Sequence, residues 1–192
     1  MLKRVVFVCA MALSLWFVSR LPVAEANQAH QDDMPAMQDE SKLPLETRQL
    51  IDDVRGATAD FRDVETAEKA GYAIFQDCFN EEGVGGMGQH YVNGDLAGDD
   101  VVDPLKPEAL VYEPREDGKL ILVALEYLVF ADKWTKSDPP TAFGQDFHLV
   151  TDIPNTPPVW ALHIWLWSHN TLGLFTDYNP IVFCPANVKT QS

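Results

Sequence analysis

The chain after residue 43 begins with a helical pattern of apolar positions. Between residues 44 and 70, apolar side chains recur at spacings of three, four and seven: Leu45, Leu50, Ile51, Val54, Phe61, Val64 and Ala67. This periodicity predicts amphipathic helices that bury one face. Gly56 predicts a break into two helices. Asp60 or Asp63 is a candidate cap of the second helix, and Gly71 is expected to end it.

From Tyr72 onward the apolar residues form short runs that fit β-strands. The strand candidates are Ala109–Tyr112, Leu120–Phe130, Val159–Trp167 and Ile181–Cys184. Asp117-Gly118 lies between the first two runs and favours a hairpin turn. The Pro- and Gly-rich segments are expected to be loops, at residues 83–88, 94–107, 135–145 and 152–158. We therefore predict an α+β fold, in which an N-terminal helix pair precedes a curved antiparallel β-sheet or a small barrel.

Residues 1–26 have the three parts of a cleavable secretion signal. Lys3 and Arg4 provide the positive charge, and an apolar stretch follows at residues 5–18. Ala24-Glu25-Ala26 supplies the small-x-small cleavage site. The apolar stretch is shorter than the ~20 residues of a membrane-spanning helix, although an uncleaved N-terminal anchor is the alternative. The sequence therefore predicts a periplasmic or secreted protein without a stable membrane span after cleavage.

Behind the signal, composition predicts a leader and one folded domain. Residues 27–43 are rich in Gln, Asp and Met and lack aromatic and β-branched residues, which is typical of a disordered acidic leader. Residues 44–192 have the length of a single α+β domain. The formal net charge of the whole chain is -15. This acidity argues against nucleic acid as a partner, because nucleic-acid binding needs positive patches.

Signal cleavage also changes the cysteine count. The chain has three cysteines, and cleavage removes Cys9. Cys78 and Cys184 remain, and an even pair in an exported protein predicts a disulfide. Two buried free thiols are the alternative.

Two of the apolar strand candidates each contain one polar residue that is expected to be buried. Glu126 lies within Leu120–Phe130, and His163 lies within Val159–Trp167. A buried carboxylate must be paired, bound to a cation or protonated, because an isolated buried charge is too costly. Arg62, Arg115 and Lys133 are alternative partners of Glu126.

A third polar residue, His90, follows the glycine-rich segment 83–88 directly. Two imidazoles and one carboxylate form a coordination set for zinc, copper or iron. We therefore predict a pocket in which His90, Glu126 and His163 bind a divalent metal. In a catalytic version the metal activates water or oxygen, with Glu126 as ligand or general base. The alternative is that each histidine is an ordinary core residue.

Further residues are candidates for the same pocket: Tyr91, Trp165, His169 and Asp177. The aromatic residues near the C-terminus have two explanations, since they can form core or line a pocket for an apolar ligand. The chain contains no GxSxG, GxxxxGK[ST], CxxC or CxxCH motif. Serine-hydrolase, nucleotide-dependent and thiol-redox functions are therefore not indicated.

Three stretches resemble a group of uncharacterised exported bacterial proteins: residues 57–72, residues 86–93, and residues 162–167 together with Asn179-Pro180. The resemblance implies one compact domain and transfers no catalytic role. Two other hypotheses remain beside a metal pocket. One is a non-catalytic protein that binds a small ligand, and the other is a disulfide-stabilised structural domain of the cell envelope.

Overall fold

The computed structural model describes residues 40–185. The predicted signal at residues 1–26 and residues 27–39 of the predicted leader at residues 27–43 lie outside the described residues, so both stay predictions. The described part opens with a short 3-10 helix at Glu40–Lys42. Leu43 then packs against the hydrophobic core.

The predicted helix pair is present. Helix α1 spans Leu45–Thr58, a 3-10 turn spans Ala59–Arg62, and helix α2 spans Val64–Lys69. The break lies at Ala59 and not at Gly56, because Gly56 faces open space and Val54 and Thr58 are buried on either side of it. Packing of this buried face outweighs the low helix propensity of one glycine, about 1 kcal/mol.

The boundaries of α2 follow the expected chemistry. Its first turn is capped by Asp63, whose side chain accepts a hydrogen bond of 3.2 Å from the Glu65 amide. Gly71 follows the helix with a φ of 95°, which glycine adopts readily and other residues do not. The chain then turns into the first strand.

Six antiparallel strands form one curled sheet, a half-barrel. Its strands are β1 Tyr72–Glu81, β2 Gly85–Asn93, β3 Ala109–Pro114, β4 Leu120–Phe130, β7 His148–Val150 and β8 Val159–Ile164, in the order β1-β2-β3-β4-β8-β7. A separate ribbon is formed by β5 Thr141–Ala142 and β6 Gln145–Asp146, and α3 spans Gly94–Ala97. The α+β prediction with a curved antiparallel sheet is confirmed. Strands β1 and β7 remain as edges, so the sheet is not closed into a barrel.

The segment at 83–88 was expected to be a loop, but β2 begins within it at Gly85. Its glycines allow the C-terminal segment to lie directly on the strand. The Gly86 amide donates to the Asn179 and Val182 carbonyls at 3.1 Å, and the Asn179 amide donates back to the Gly86 carbonyl at 2.9 Å. A side chain at Gly86 would clash with the Val182 carbonyl, so the glycine run permits a close backbone approach.

Two of the expected strands differ from the structure near the C-terminus. Ile181–Cys184 is not a strand, because three of its four amides bond to side chains and the Val182 amide bonds to the Asn179 carbonyl within a turn. The Phe183 amide donates to Glu113 Oε1 at 3.0 Å, and the Cys184 amide donates to Asn80 Oδ1 at 3.1 Å. Strand β8 ends at Ile164 and not at Trp167, since the Trp165 amide already donates to the Leu174 carbonyl outside the sheet.

The two faces of the sheet have different environments. One face packs against α1 and α2 and forms the main core, which includes Ile51, Val54, Ala67, Tyr91, Leu110, Tyr112, Leu125, Tyr127, Leu162 and Ile164. Successive side chains of a strand point to opposite faces. The residues between these core positions, among them His90, Glu126 and His163, therefore lie on the other face.

Candidate functional site

Three strands bring His90, Glu126 and His163 together. Glu126 on β4 and His163 on β8 are direct cross-strand partners. His90 lies on β2, two strands away from Glu126. On β3 between them, Ala109 lies opposite Glu126 and Val111 lies opposite His90. The sheet register therefore assembles the predicted cluster without any loop.

The side chains of the three residues converge at short distances, and all three are buried. His90 Nε2 lies 3.2 Å from His163 Nε2 and 3.3 Å from Glu126 Oε2. Each residue offers one potential ligand atom, and these three atoms all lie within 4.8 Å of one another. Four-coordinate zinc, with bonds of about 2.0–2.1 Å, places neighbouring ligand atoms about 3.3 Å apart. Both distances measured from His90 match this spacing.

A second carboxylate stands behind His163. Asp177 Oδ1 lies 3.4 Å from His163 Nδ1, and Asp177 Oδ2 lies 3.5 Å from Nε2 of the half-exposed His148. A carboxylate behind the distal nitrogen of a histidine is the usual way to fix the ring of a metal ligand. The predicted pocket acid Asp177 therefore lies beside the cluster, whereas no pattern in the sequence pointed to His148.

Asp177 is held in place by an ordered loop. Asn170 Nδ2 donates to Thr176 Oγ1 at 2.9 Å and to the Tyr178 carbonyl at 2.8 Å, on either side of Asp177. Asn179 Nδ2 donates to the carbonyl of His169 at 2.8 Å. Both amide side chains are buried, and their hydrogen bonds hold the backbone on either side of Asp177.

The protonation of the cluster follows from burial and charge. Burial lowers the pKa of His90 to about 4, although Glu126 and the Gly88 backbone oppose the shift. Burial also disfavours charge on His163, but Glu126 and Asp177 outweigh it and raise the His163 pKa. Burial of Asp177 is likewise outweighed by His163 and His148, which lower the Asp177 pKa. At neutral pH, His90 is therefore neutral and Asp177 is ionised.

The other predicted pocket residues take different places. The ring of Trp165 is buried and stacks on His163 with a centroid distance of 6.4 Å, so it supports the cluster from the side. Tyr91 lies on the core face of β2, where its ring packs against Tyr112 at 5.2 Å. His169 belongs to the loop that carries Asp177.

The alternative cationic partners of Glu126 have other contacts. Arg115 pairs with Glu113 at 2.9 Å, and the Arg62 guanidinium lies 5.5 Å from the centre of the Trp167 ring. Lys133 is exposed. Within residues 40–185, the basic groups that lie within 4.0 Å of the Glu126 carboxylate are thus two imidazoles.

The cluster opens into a cavity of about 710 Å³. Apolar side chains line much of it, including Phe75, Phe79, Met87, Leu128, Phe130 and Val159. Edge strands β1 and β7 both contribute to the walls. The sequence predicted a pocket at this cluster but not its walls from β1 and β7, because neither strand was among the strand candidates.

The predicted disulfide is confirmed. Cys78 on β1 and Cys184 are bonded across a sequence separation of 106, with their Cα atoms 5.4 Å apart. The alternative of two free thiols is therefore wrong. The bond ties an edge strand of the cavity to the C-terminal segment.

Comparisons with known proteins add no assignment: no family model, curated protein or solved structure matches the chain. Among the helices within residues 40–185, none has both the length and the hydrophobicity to cross a membrane.

Proposed function

We propose that this chain is an exported metal-binding protein that holds one divalent ion of zinc, copper or iron at His90, Glu126 and His163. The observation that carries the proposal is the buried convergence of two imidazole nitrogens and a carboxylate, at the spacing of ligands around a metal. Two histidines and one glutamate form a known ligand set of zinc enzymes, and the same donor types suit non-haem iron.

Protonation favours a metal over a cluster held by hydrogen bonds alone. The two Nε2 atoms lie 3.2 Å apart, and one proton at most can serve that contact. The Nδ1 atom of His163 instead faces carboxylates, Asp177 Oδ1 at 3.4 Å and Glu126 Oε1 at 3.7 Å, and His90 interacts with the Gly88 backbone. A metal ion would use the Nε2 lone pairs and the carboxylate charge together, since it needs neutral imidazole and ionised carboxylate.

Three protein ligands leave coordination positions for water or a small ligand. A metal with open positions can act as a Lewis acid and can lower the pKa of bound water, which is the catalytic version of the proposal. The cavity beside the cluster gives a ligand access to those positions. A non-catalytic binding protein would use the same geometry without turnover.

The proposed location outside the cytoplasm has two supports. One is the predicted secretion signal at residues 1–26, and the other is the disulfide, since such bonds persist in oxidising compartments.

Metal analysis tests the proposal directly. The protein is produced by export, purified without an affinity tag, and incubated separately with zinc, copper and iron(II), the last under anaerobic conditions. After dialysis, we expect about one equivalent of at least one of these metals by mass spectrometry. His90→Ala, His163→Ala and Glu126→Gln should each lose it, while circular dichroism shows that the fold is retained.

Asp177→Asn provides a graded variant, because it leaves all three ligands in place. We expect metal affinity to fall about 10- to 100-fold, as for other partners of metal-bound histidines. Glu113→Gln is the matched control, since it changes a buried carboxylate of the same sheet that pairs with Arg115. Wild-type protein without stoichiometric metal, or retention of metal by all three ligand variants, would contradict the proposal.

A further inference from the structure

We infer that the cavity binds a small organic molecule with an uncharged, apolar body and one oxygen-bearing head group that reaches the metal. The inference rests on the proposed function for the head group. The apolar body of the ligand follows from the walls of the cavity alone.

The size and the walls of the cavity fit such a ligand. Its volume of about 710 Å³ lies within the range of small-molecule sites, about 300–1,000 Å³. Phe75, Phe79 and Met87 come from the β1–β2 hairpin, and Leu128 and Phe130 come from β4. These walls can bury an aromatic or aliphatic body and offer it few hydrogen-bond partners. The polar cluster at the sheet surface would fix the orientation of the ligand.

The charges of the cavity exclude several ligand classes. Among the described residues, its lining contains four carboxylates, Glu81, Glu126, Asp152 and Asp177, and no lysine or arginine. Phosphates and carboxylates are normally recognised by such cations. A second anionic group on the ligand would therefore lie unpaired near like charges. Nucleotides, sugar phosphates and dicarboxylates do not fit this site.

The rim of the cavity supports entry of an apolar molecule. Phe75 on β1 is 51% exposed and Leu149 on β7 is 47% exposed, and both line the cavity. Large apolar side chains that stay in water beside a pocket are typical of ligand-binding sites. Because β1 and β7 are the two edges of the half-barrel, the ligand would enter between them.

Three hydroxamic acids with the same metal-binding head test this inference. Acetohydroxamic acid has no ring, 4-methylbenzohydroxamic acid adds an apolar ring, and 4-carboxybenzohydroxamic acid puts a charge on its far end. Each compound is titrated by calorimetry into protein loaded with the metal that the mass-spectrometric measurement shows to bind. We expect the methyl compound to bind at least about tenfold more tightly than either of the other two, because burial of the ring is favourable and burial of the far carboxylate is not.

Variants at the rim locate the binding. Phe75→Asp and Leu149→Asp change half-exposed positions, and circular dichroism checks that each variant folds. We expect each to weaken binding of the methyl compound about fivefold or more. Leu172→Asp is the matched control, since Leu172 is 50% exposed and is not among the residues lining the cavity. Acetohydroxamic acid should bind all three variants equally.

The outcomes separate this inference from the proposed function. Equal affinity for acetohydroxamic acid and the methyl compound would overturn the apolar body while leaving the metal site intact. Equal or tighter binding of the carboxylated compound would overturn the charge argument. If the protein holds no metal, the proposed function fails on the metal analysis and the head-group part of this inference fails with it.

Discussion

Glu108 is a buried carboxyl group whose ionisation should oppose folding. Its side chain lies against Tyr72 and Tyr127, and only 2% of the residue is exposed. Glu108 Oε2 accepts a hydrogen bond of 3.1 Å from the Leu128 amide, but no cation is among the groups that set its ionisation. Burial, with smaller contributions from Asp99 and Glu126, raises the pKa of Glu108 to about 8. We predict that Glu108→Gln stabilises the protein increasingly as pH rises.

The magnitude follows from proton linkage. The unfolded chain ionises Glu108 near its ordinary pKa of 4.5, whereas the folded chain keeps the proton up to about pH 8. The unfolded state therefore binds fewer protons in this window, so this group's contribution to stability falls as pH rises. The slope is about 1.4 kcal/mol per pH unit, and the loss between about pH 5 and pH 7 is about 2.5 kcal/mol. The full loss above pH 8 is about 4–5 kcal/mol.

Urea unfolding of wild type and Glu108→Gln at about pH 5, 6, 7 and 8, with chelator present and the disulfide intact, measures the effect. The difference between the two proteins removes the contributions of other groups, including His90, whose lowered pKa makes stability rise with pH between about 4 and 6.5. Glu113→Gln is the control, and it should show no such gain, because its carboxylate pairs with Arg115. A stability difference that stays flat between pH 5 and 8 would refute the reasoning.

Two further predictions concern the segment that closes the site. Replacing both Cys78 and Cys184 with serine should lower the free energy of unfolding by about 4–5 kcal/mol, because the disulfide closes a loop across a sequence separation of 106. A loss below about 1 kcal/mol in urea unfolding would contradict this. Gly85→Ala should lower the free energy of unfolding by about 2 kcal/mol or more, since Gly85 has a φ of 145° and a Cβ there would meet the Asn179 carbonyl. Gly83→Ala is the control and should lower it clearly less, because the space around Gly83 is open. Urea unfolding measures both variants.

The helices and the central strands could be predicted because their patterns are local. The spacing of Ile51, Val54 and Ala67 marks one helical face, and Asp117-Gly118 marks the β3–β4 hairpin. Strand β1 could not be predicted from its pattern. Its side chains are largely exposed or half-buried, because it forms one edge of the sheet and one wall of the cavity. Such a strand lacks both the apolar alternation of a strand packed on one face and the continuous apolar run of a strand packed on both faces.

The three central site residues could be predicted because two of them interrupt apolar strands. Glu126 and His163 stand out against Leu120–Phe130 and Val159–Ile164, and the sheet register then makes them neighbours. The contribution of His148 could not be predicted, since it depends on how the loop holding Asp177 folds over β7. The sequence also could not show whether Trp165 is a core residue or a neighbour of the site, because its stacking on His163 is a tertiary contact.

Three buried glutamates of this sheet show why burial alone does not identify a site. Glu108 has a backbone amide and two tyrosines nearby, and it keeps its proton. Glu113 accepts a hydrogen bond from the Phe183 amide and pairs with Arg115, so it holds the C-terminal segment. Glu126 instead faces two imidazoles, neither of which is a fixed positive charge. Protonation and ion pairing account for the first two residues. Under the proposed function, a bound cation would pair with the Glu126 carboxylate and would also use the histidine lone pairs beside it.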